Sequence, residues 1–300
     1  MQQRIYKLLI LFLVTLPVVT FGQKWKSYRM ELTAGIGPSF MLSDVGGFQD
    51  EPDHFITDLN FKSTRASFTG NFNYHLRQDM SVLASFSYCF LHANDKYAGN
   101  EARRYRNFDI NTHVYELGIM YRYYFVKEKF GHAFRLRGAR SSFLSNISAY
   151  AGVGIAGFYF NPTGRGSDGK YHSLQPLGTE GQGIAGNPEK YSRFSFAIPA
   201  ALGMKYALNT QINVGLELNY RFIFIDYLDD VSTNYYDNDA ILSENGEMAA
   251  YLADPSSGEY PTWTHPGEKR GSPDNNDAFF TTMITFSYKI LKGSSFRPRF

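Results

Sequence analysis

The chain has 300 residues, 30 Lys plus Arg against 28 Asp plus Glu, and one cysteine, Cys89. This balance gives no electrostatic footprint for nucleic acid, and a lone cysteine excludes a disulfide framework or a cysteine-built zinc site. Aromatic residues make up 17% of the chain, chiefly 26 Phe and 22 Tyr, although the mean hydropathy is slightly negative.

The first element is a leader. Arg4 and Lys7 precede the apolar run 8–14, Pro17 interrupts it, and the stretch ends in Gly22 before Gln23. A charged n-region, a short apolar core and a small residue at the cut describe a signal peptide over 1–22. The run falls short of the roughly 20 residues of a membrane helix, and no cysteine follows the cut as in a lipoprotein. Removing the two leader cations leaves 28 basic and 28 acidic side chains in the exported chain. No later apolar run is long enough for a membrane helix, which leaves a secreted β-protein or an outer-membrane barrel.

Period-two alternation decides between them, because a membrane barrel turns every second residue of each strand to lipid. Eight segments show it. Met30, Leu32, Ala34 and Ile36 alternate with Glu31 and Thr33; Ala66, Phe68, Gly70, Phe72 and Tyr74 alternate with Arg65, Ser67 and Asn71. Val82 to Phe90 alternate with serines, and Tyr115, Leu117, Ile119, Tyr121, Tyr123 and Phe125 alternate with Glu116, Gly118 and Arg122. The fifth segment sets Ile147, Ala149, Ala151, Val153 and Ile155 against Ser148, Tyr150, Gly152 and Gly154. Phe194 to Tyr206 oppose Arg193, Ser195 and Lys205; Ile212 to Phe224 oppose Asn213, Glu217, Asn219 and Arg221; Phe280 to Ile290 oppose Thr281, Thr285, Ser287 and Lys289. The links 75–80 and 207–211 are short, whereas 43–64, 91–109, 161–190 and 226–278 are long. Short periplasmic turns, long external loops and an even strand number predict an all-β fold, an eight-stranded antiparallel transmembrane β-barrel of outer-membrane type over 23–291, with a periplasmic tail at 292–300.

The fifth segment also contains a formal G-x-G-x-x-G at Gly152, Gly154 and Gly157. A dinucleotide site needs a helix to follow it. Here the pattern stays extended to Pro162, so the glycines are assigned to barrel curvature.

Eight strands enclose a space that side chains fill. The inward set includes Glu31, Glu116, Glu217, Arg65, Arg122, Arg193, Arg221 and Lys205. Isolated charges there are costly, so an internal carboxylate–cation network is expected, with Glu31, Glu116, Arg122, Glu217 and Arg221 at its centre. A proton or ion path is the functional alternative to this structural polar core. Tyr and Phe near the strand ends predict two interfacial girdles.

Two external stretches are more specific than the strands: "LQPLGTEGQG" at 174–183, following "FNPTGRG" at 160–166, and "RFIFIDYLDDVSTNYY" at 221–236. With "YRYYF" at 121–125, the chain resembles PorG, an outer-membrane barrel of the type IX secretion system; the likeness covers most of the exported chain and is strongest over 115–236. The resemblance implies association with outer-membrane lipid and with a periplasmic PorK–PorN-like ring. It implies no cofactor and no catalytic residue.

The motif residues are Leu174, Gln175, Pro176, Gly178, Thr179, Glu180, Gly181, Gln182 and Gly183 in one loop and Asp226, Tyr227, Asp229 and Asp230 in the other. The three glycines predict a tight loop with positive φ values, and Thr179, Glu180 and Gln182 are placed to tie it to its neighbour. The aspartates suit loop bracing, with Ca²⁺ ligation as the alternative. Both loops are expected to fold over the barrel mouth. Loop 226–278 holds twelve acidic residues against Lys269 and Arg270, a net of −10. The inner link 126–140 carries Lys127, Lys129, Arg135, Arg137 and Arg140 against Glu128, a net of +4. This basic surface either meets lipid headgroups and solvent or docks a ring component. An outer-membrane enzyme is the competing class, with His92, His113 and His172 near the outer rim, but no G-x-S-x-G occurs. A ligand-binding or small-solute barrel is the other alternative.

Overall fold

The computed structural model describes residues 24–47, 59–128 and 146–291. Its strands are β1 (Met30–Leu42), β2 (Arg65–Arg77), β3 (Met80–Asn94), β4 (Asp109–Val126), β5 (Ile147–Arg165), β6 (Tyr171–Ser173), β7 (Phe194–Ala207), β8 (Ile212–Ile223) and β9 (Ala278–Ile290). Every pairing is antiparallel, and β4 pairs with β5 as well as with β3, so the sheet closes on itself. The short β6 pairs only with the outer end of β5 and stands outside the ring. Eight strands therefore form the wall, in the order β1-β2-β3-β4-β5-β7-β8-β9.

Each of the eight alternating segments is a wall strand, and the faces are those the alternation assigns except at Arg65 and Arg193 at the outer strand ends. Phe196 and Ile155 are 73% and 71% exposed, whereas Arg122 and Arg221 are 0% and 2% exposed. The protein is inside-out relative to a water-soluble barrel: its apolar side chains face outward and its charges are enclosed. Closure leaves no free sheet edge, so the wall's backbone polar groups are paired between strands, as hydrocarbon requires. This chain is an outer-membrane β-barrel. Among the described residues no helix is long and apolar enough to cross a membrane.

The strands outrun the alternation at one end. β3 continues to Asn94, and the top of β4 pairs Ile110 with Gly164 of β5. These extensions carry the outer links 95–108, 166–193 and 224–277, which hold three short helices: α1 (Glu101–Arg106), α2 (Asn238–Asn245) and α3 (Glu247–Ala253). Asn100 and Asp237 cap α1 and α2 by accepting the amides of Ala102 and Asp239 at 2.8 and 3.0 Å. The leader, link residues 129–145 and the tail 292–300 lie outside the described residues.

Gly154 shows what the glycines of β5 do. A Cβ there would sit 2.3 Å from the Ile119 carbonyl oxygen, so only glycine permits this approach of β5 to β4. The pairing of β5 with β7 skips Gly154 and Ile155, opposite Ile198 and Pro199, and that of β1 with β9 skips Gly37 and Pro38. Proline has no amide hydrogen for a ladder, so both lapses follow from the sequence.

Outside the wall, aromatic rings form a row across successive strands. Phe68, Tyr88, Tyr115, Tyr159 and Phe194 follow one another with centroids 6.4, 5.1, 6.5 and 5.0 Å apart. This is an interfacial girdle. Arg193 lies over the Tyr159 ring, 5.5 Å from its centroid, and donates to Asn161 at 3.1 Å. Arg65 lies 5.9 Å from the Phe90 ring and donates to the Thr64 carbonyl at 3.0 Å. Alternation places both in the interior, whereas in the structure both turn outward. They stand at the outer strand ends, where long side chains reach the interface and the wall no longer confines them.

Inside, the charges pair in tiers. At the periplasmic end Lys289 donates to Glu128. Above it Lys205 donates to Glu31, and His75 Nε2 lies 3.6 Å from the same carboxylate. Arg122 reaches Glu217 at 2.6 Å, the Tyr150 hydroxyl donates to Glu217, and the guanidinium lies 4.6 Å from the Tyr150 ring centroid. Arg221 meets Glu116 at 3.2 Å and donates to Thr281 Oγ1 at 2.6 Å. Next comes an apolar plug that includes Leu91, Val114, Phe158, Phe160 and Phe279.

Removing one member of an enclosed pair leaves a buried charge without its counter-ion, which costs about 3–5 kcal/mol. Glu116→Ala is therefore expected to lower the unfolding free energy of the folded barrel, measured by denaturant titration, by that amount. The double variant Glu116→Leu/Arg221→Met is expected to recover most of the loss, since neither charge remains.

Candidate functional site

The outer links fold into a cap whose inner side completes the apolar plug. Leu174, Leu228 and Val231 are buried with the wall residues Leu91, Ile110 and Phe160. Thr112 of β4 donates to the Leu228 carbonyl at 2.7 Å, which anchors the cap inside the mouth. Loop 226–236 thus dips into the barrel rather than resting on its rim.

Loop 174–183 locks onto it. A single 3₁₀ turn at Gln175–Leu177, with Pro176 in its first positions, is followed by Gly178, Gly181 and Gly183 at φ 60°, 79° and 81°. These left-handed values bend the loop tightly enough to aim Thr179 and Glu180 at its neighbour. Gly181 also sits against Tyr236, where an added Cβ would lie 2.6 Å from the ring. Glu180 is the hub: Oε1 accepts the amides of Ser232 and Thr233 at 2.9 and 3.1 Å and Arg270 Nη1 at 2.8 Å, and Oε2 accepts Thr233 Oγ1 at 2.7 Å. Gln182 steadies the hub by accepting the Glu180 amide at 3.0 Å, and Gln175 donates to the Tyr191 carbonyl at 2.9 Å.

The aspartates of the other loop have separate tasks. Asp229 accepts the amides of Val45 and Val231, both at 3.0 Å. Asp230, at φ 66°, accepts the Tyr191 hydroxyl at 2.5 Å and the Thr179 hydroxyl. Tyr227 stacks on Tyr191 with centroids 4.5 Å apart. Asp226 is buried beside the Ser232 side chain. Among the described residues no group of three His, Cys, Asp or Glu side chains is arranged to hold a metal ion.

Sequence reasoning missed several members of this site. Arg270 is buried, bonded to Glu180 and to the Asp230 carbonyl at 2.6 Å, and stacked 4.7 Å from the Phe108 ring centroid. Arg106 pairs with Asp95 at 2.9 Å and donates to the Asp44 carbonyl at 2.8 Å and the Arg270 carbonyl at 2.5 Å. Asp277 accepts the Leu228 amide at 2.8 Å, and Asp44 accepts the Ser272 amide at 2.5 Å. Arg270 was visible as one of only two cations in an acidic loop, which is the signal that it has a buried partner; Asp44, Asp95 and Asp277 carried none.

The cap buries more carboxylates than cations. Burial, reinforced by Asp229 and Asp44, pushes the Asp226 carboxyl up to about 9. Burial and Asp44 push Asp229 up to about 6, and burial with Asp229 and Asp226 raises Asp277 well above its usual range. Burial lifts Asp230 to about 7 against the pull of Arg270.

The other predicted residues are dispersed. Lys127 is half exposed and pairs with Asp79 at 2.9 Å, while Lys129, Arg135, Arg137 and Arg140 lie outside the described residues. His92 meets Asn111 at 2.9 Å on the outward parity of β3 and β4, His113 meets the Tyr88 hydroxyl at 2.8 Å and stacks on Phe90, and His172 of β6 meets Asp168 at 3.0 Å. The three histidines do not share one site.

A carboxyl raised in the folded cap is protonated there and ionised in the opened loop above about pH 4. The folded form then holds more protons, so cap stability falls as pH rises from about 4 through the folded values near 6 to 9. Hydrogen exchange over 226–236 is expected to be slower at pH 5 than at pH 8.5, after correction for intrinsic rates. Asp226→Asn is expected to flatten that dependence.

No protein-family model matches the chain, and no curated protein does. Among solved structures it is similar to Neisserial surface protein A, at 8% identity and a TM-score of 0.37, over 87% of this chain and 96% of that one. It is also similar to OprG from Pseudomonas aeruginosa, at 11% identity and 0.37 over 88% and 96%, and to Ail of Yersinia pestis, at 10% and 0.36 over 87% and 98%.

Proposed function

We propose that this barrel is a PorG-like component of the type IX secretion machinery, anchoring a PorK–PorN-like periplasmic ring to the outer membrane. The observation that carries this reading is the mutual packing of the two loop motifs that bear the resemblance. Through Glu180, Thr179 and Asp230 they form one cap, with bonds of 2.9 and 3.1 Å from Glu180 to the backbone of 232–233. The filled interior also favours an anchor over a conduit: the lumen is occupied by ion pairs from Glu31–Lys205 to Glu116–Arg221. An anchor acts through its surfaces, and the basic inner link, a net of +4 over 126–140, is the surface offered for ring docking.

Two variants test the reading. Charge reversal of Arg135, Arg137 and Arg140 is expected to reduce ring protein recovered with the barrel in mild detergent by several-fold. Deletion of 174–183 is expected to abolish secretion while the barrel still folds. Unchanged recovery and unchanged secretion would contradict the proposal. A ligand-binding barrel is the second reading, favoured by a cavity of about 370 Å³ on the outer face of the cap.

A further inference from the structure

The outer rim of the wall differs from one side to the other. On one side the outward rows of β8, β9 and β1 reach the rim as apolar rings, Phe222, Phe280 and Phe40, and carry no lysine or arginine. On the other side the aromatic row from Phe68 to Phe194 is bracketed by two cations. Arg65 opens β2 and Arg193 directly precedes β7, the strands at the two ends of that row. Both lean toward its middle, Arg65 over Phe90 of β3 and Arg193 over Tyr159 of β5.

Among the described residues neither guanidinium has a carboxylate partner; each donates to a neutral oxygen, of the Thr64 backbone or the Asn161 amide. The wall strands on this side carry one outward carboxylate, Asp109 of β4, and it accepts the Tyr171 hydroxyl at 2.9 Å and lies 3.9 Å from Arg165. Glu189, four positions before Arg193, is exposed and makes no ion pair. A planar guanidinium without a carboxylate is suited to take an oxyanion through two parallel hydrogen bonds.

The surface between the cations is continuous. His113 stacks on Phe90 with centroids 4.7 Å apart, meets the Tyr88 hydroxyl and pairs across the sheet with Asn161, which holds Arg193. Phe90 and Tyr159 stand two strands apart, and a strand spacing of about 4.8 Å puts the cations above them on the order of 10 Å apart along the wall. This run of rings and amides fixes that separation.

What covers the surface follows from its place. It lies at the outer end of the lipid-facing belt, against the outer leaflet, which in a Gram-negative outer membrane is glycolipid with a phosphorylated sugar headgroup. A cation at each end of a short ringed, hydrogen-bonding surface matches a disaccharide with a phosphate at each end. We propose that this side of the rim binds a phosphorylated glycolipid of the outer leaflet, one phosphate on Arg65, the other on Arg193, and the sugars across His113 and Asn161. The surface uses none of the ring-docking residues, so it is independent of the anchoring role.

Native mass spectrometry of the full-length barrel in a neutral detergent tests this. The probes are bisphosphorylated lipid A, the same glycolipid with both phosphates removed, phosphatidylglycerol, and inorganic phosphate as competitor. Saturable retention of the bisphosphorylated lipid is expected. The dephosphorylated lipid and phosphatidylglycerol should each be held about tenfold more weakly, the scale of a hydrogen bond to a charged group, and inorganic phosphate should not displace the glycolipid. Arg65→Gln and Arg193→Gln should each weaken retention several-fold, and the double variant should fall to the level of the dephosphorylated lipid. Arg77→Gln, at the periplasmic end of β2 where Asp79 lies 3.6 Å away, should change nothing. Heat-dependent gel mobility reports that each variant is folded, and the comparison of probes on the unaltered barrel needs no variant. Equal retention of the dephosphorylated lipid, equal retention of phosphatidylglycerol, displacement by inorganic phosphate, a folded double variant that binds unchanged, or an equal loss in Arg77→Gln would each overturn the proposal.

Discussion

An eight-stranded wall encloses too little space for water to solvate charges, yet half of every strand must face that space. Everything else in the molecule depends on how the inward charges are neutralised. Glu31, Glu116 and Glu217 take Lys205, Arg221 and Arg122 from across the lumen. Each pair ties distant parts of the wall together, so the polar interior sets the strand register as well as filling the barrel. A one-residue slip would move these charges into lipid and the apolar row into the lumen.

The cap repeats this logic under different conditions. It covers the mouth with a small apolar plug and then with buried carboxylates, of which Glu180 is matched by Arg270 and Asp95 by Arg106. The remaining aspartates hold backbone amides or stay protonated, as the rise of Asp226 to about 9 indicates. The wall is thereby balanced by ion pairs and the cap partly by protons. That difference makes the cap the pH-responsive part of the structure.

The wall was legible in the sequence because a two-residue period is local: each strand carries its own evidence, and a short turn such as that between Arg77 and Met80 fixes its neighbour. The interior residues Glu31, Glu116, Arg122, Glu217 and Arg221 followed from parity alone. Parity failed at Arg65 and Arg193, where the wall ends and a long side chain can turn to the interface. Much of the cap was hidden for a related reason. Asp95 meets Arg106, and Glu180 meets Arg270 some ninety positions along the chain, through irregular links that have no period to read. The glycine spacing of 178–183 announced a tight loop, but nothing local named its partner.

Neutralised charges and a fitted cap close this barrel to ions. Conductance of the purified full-length protein in planar bilayers tests it most directly. An electrically silent membrane is expected, with no stepwise currents at either polarity. Sustained single-channel steps would show a continuous aqueous path through the lumen and would contradict it.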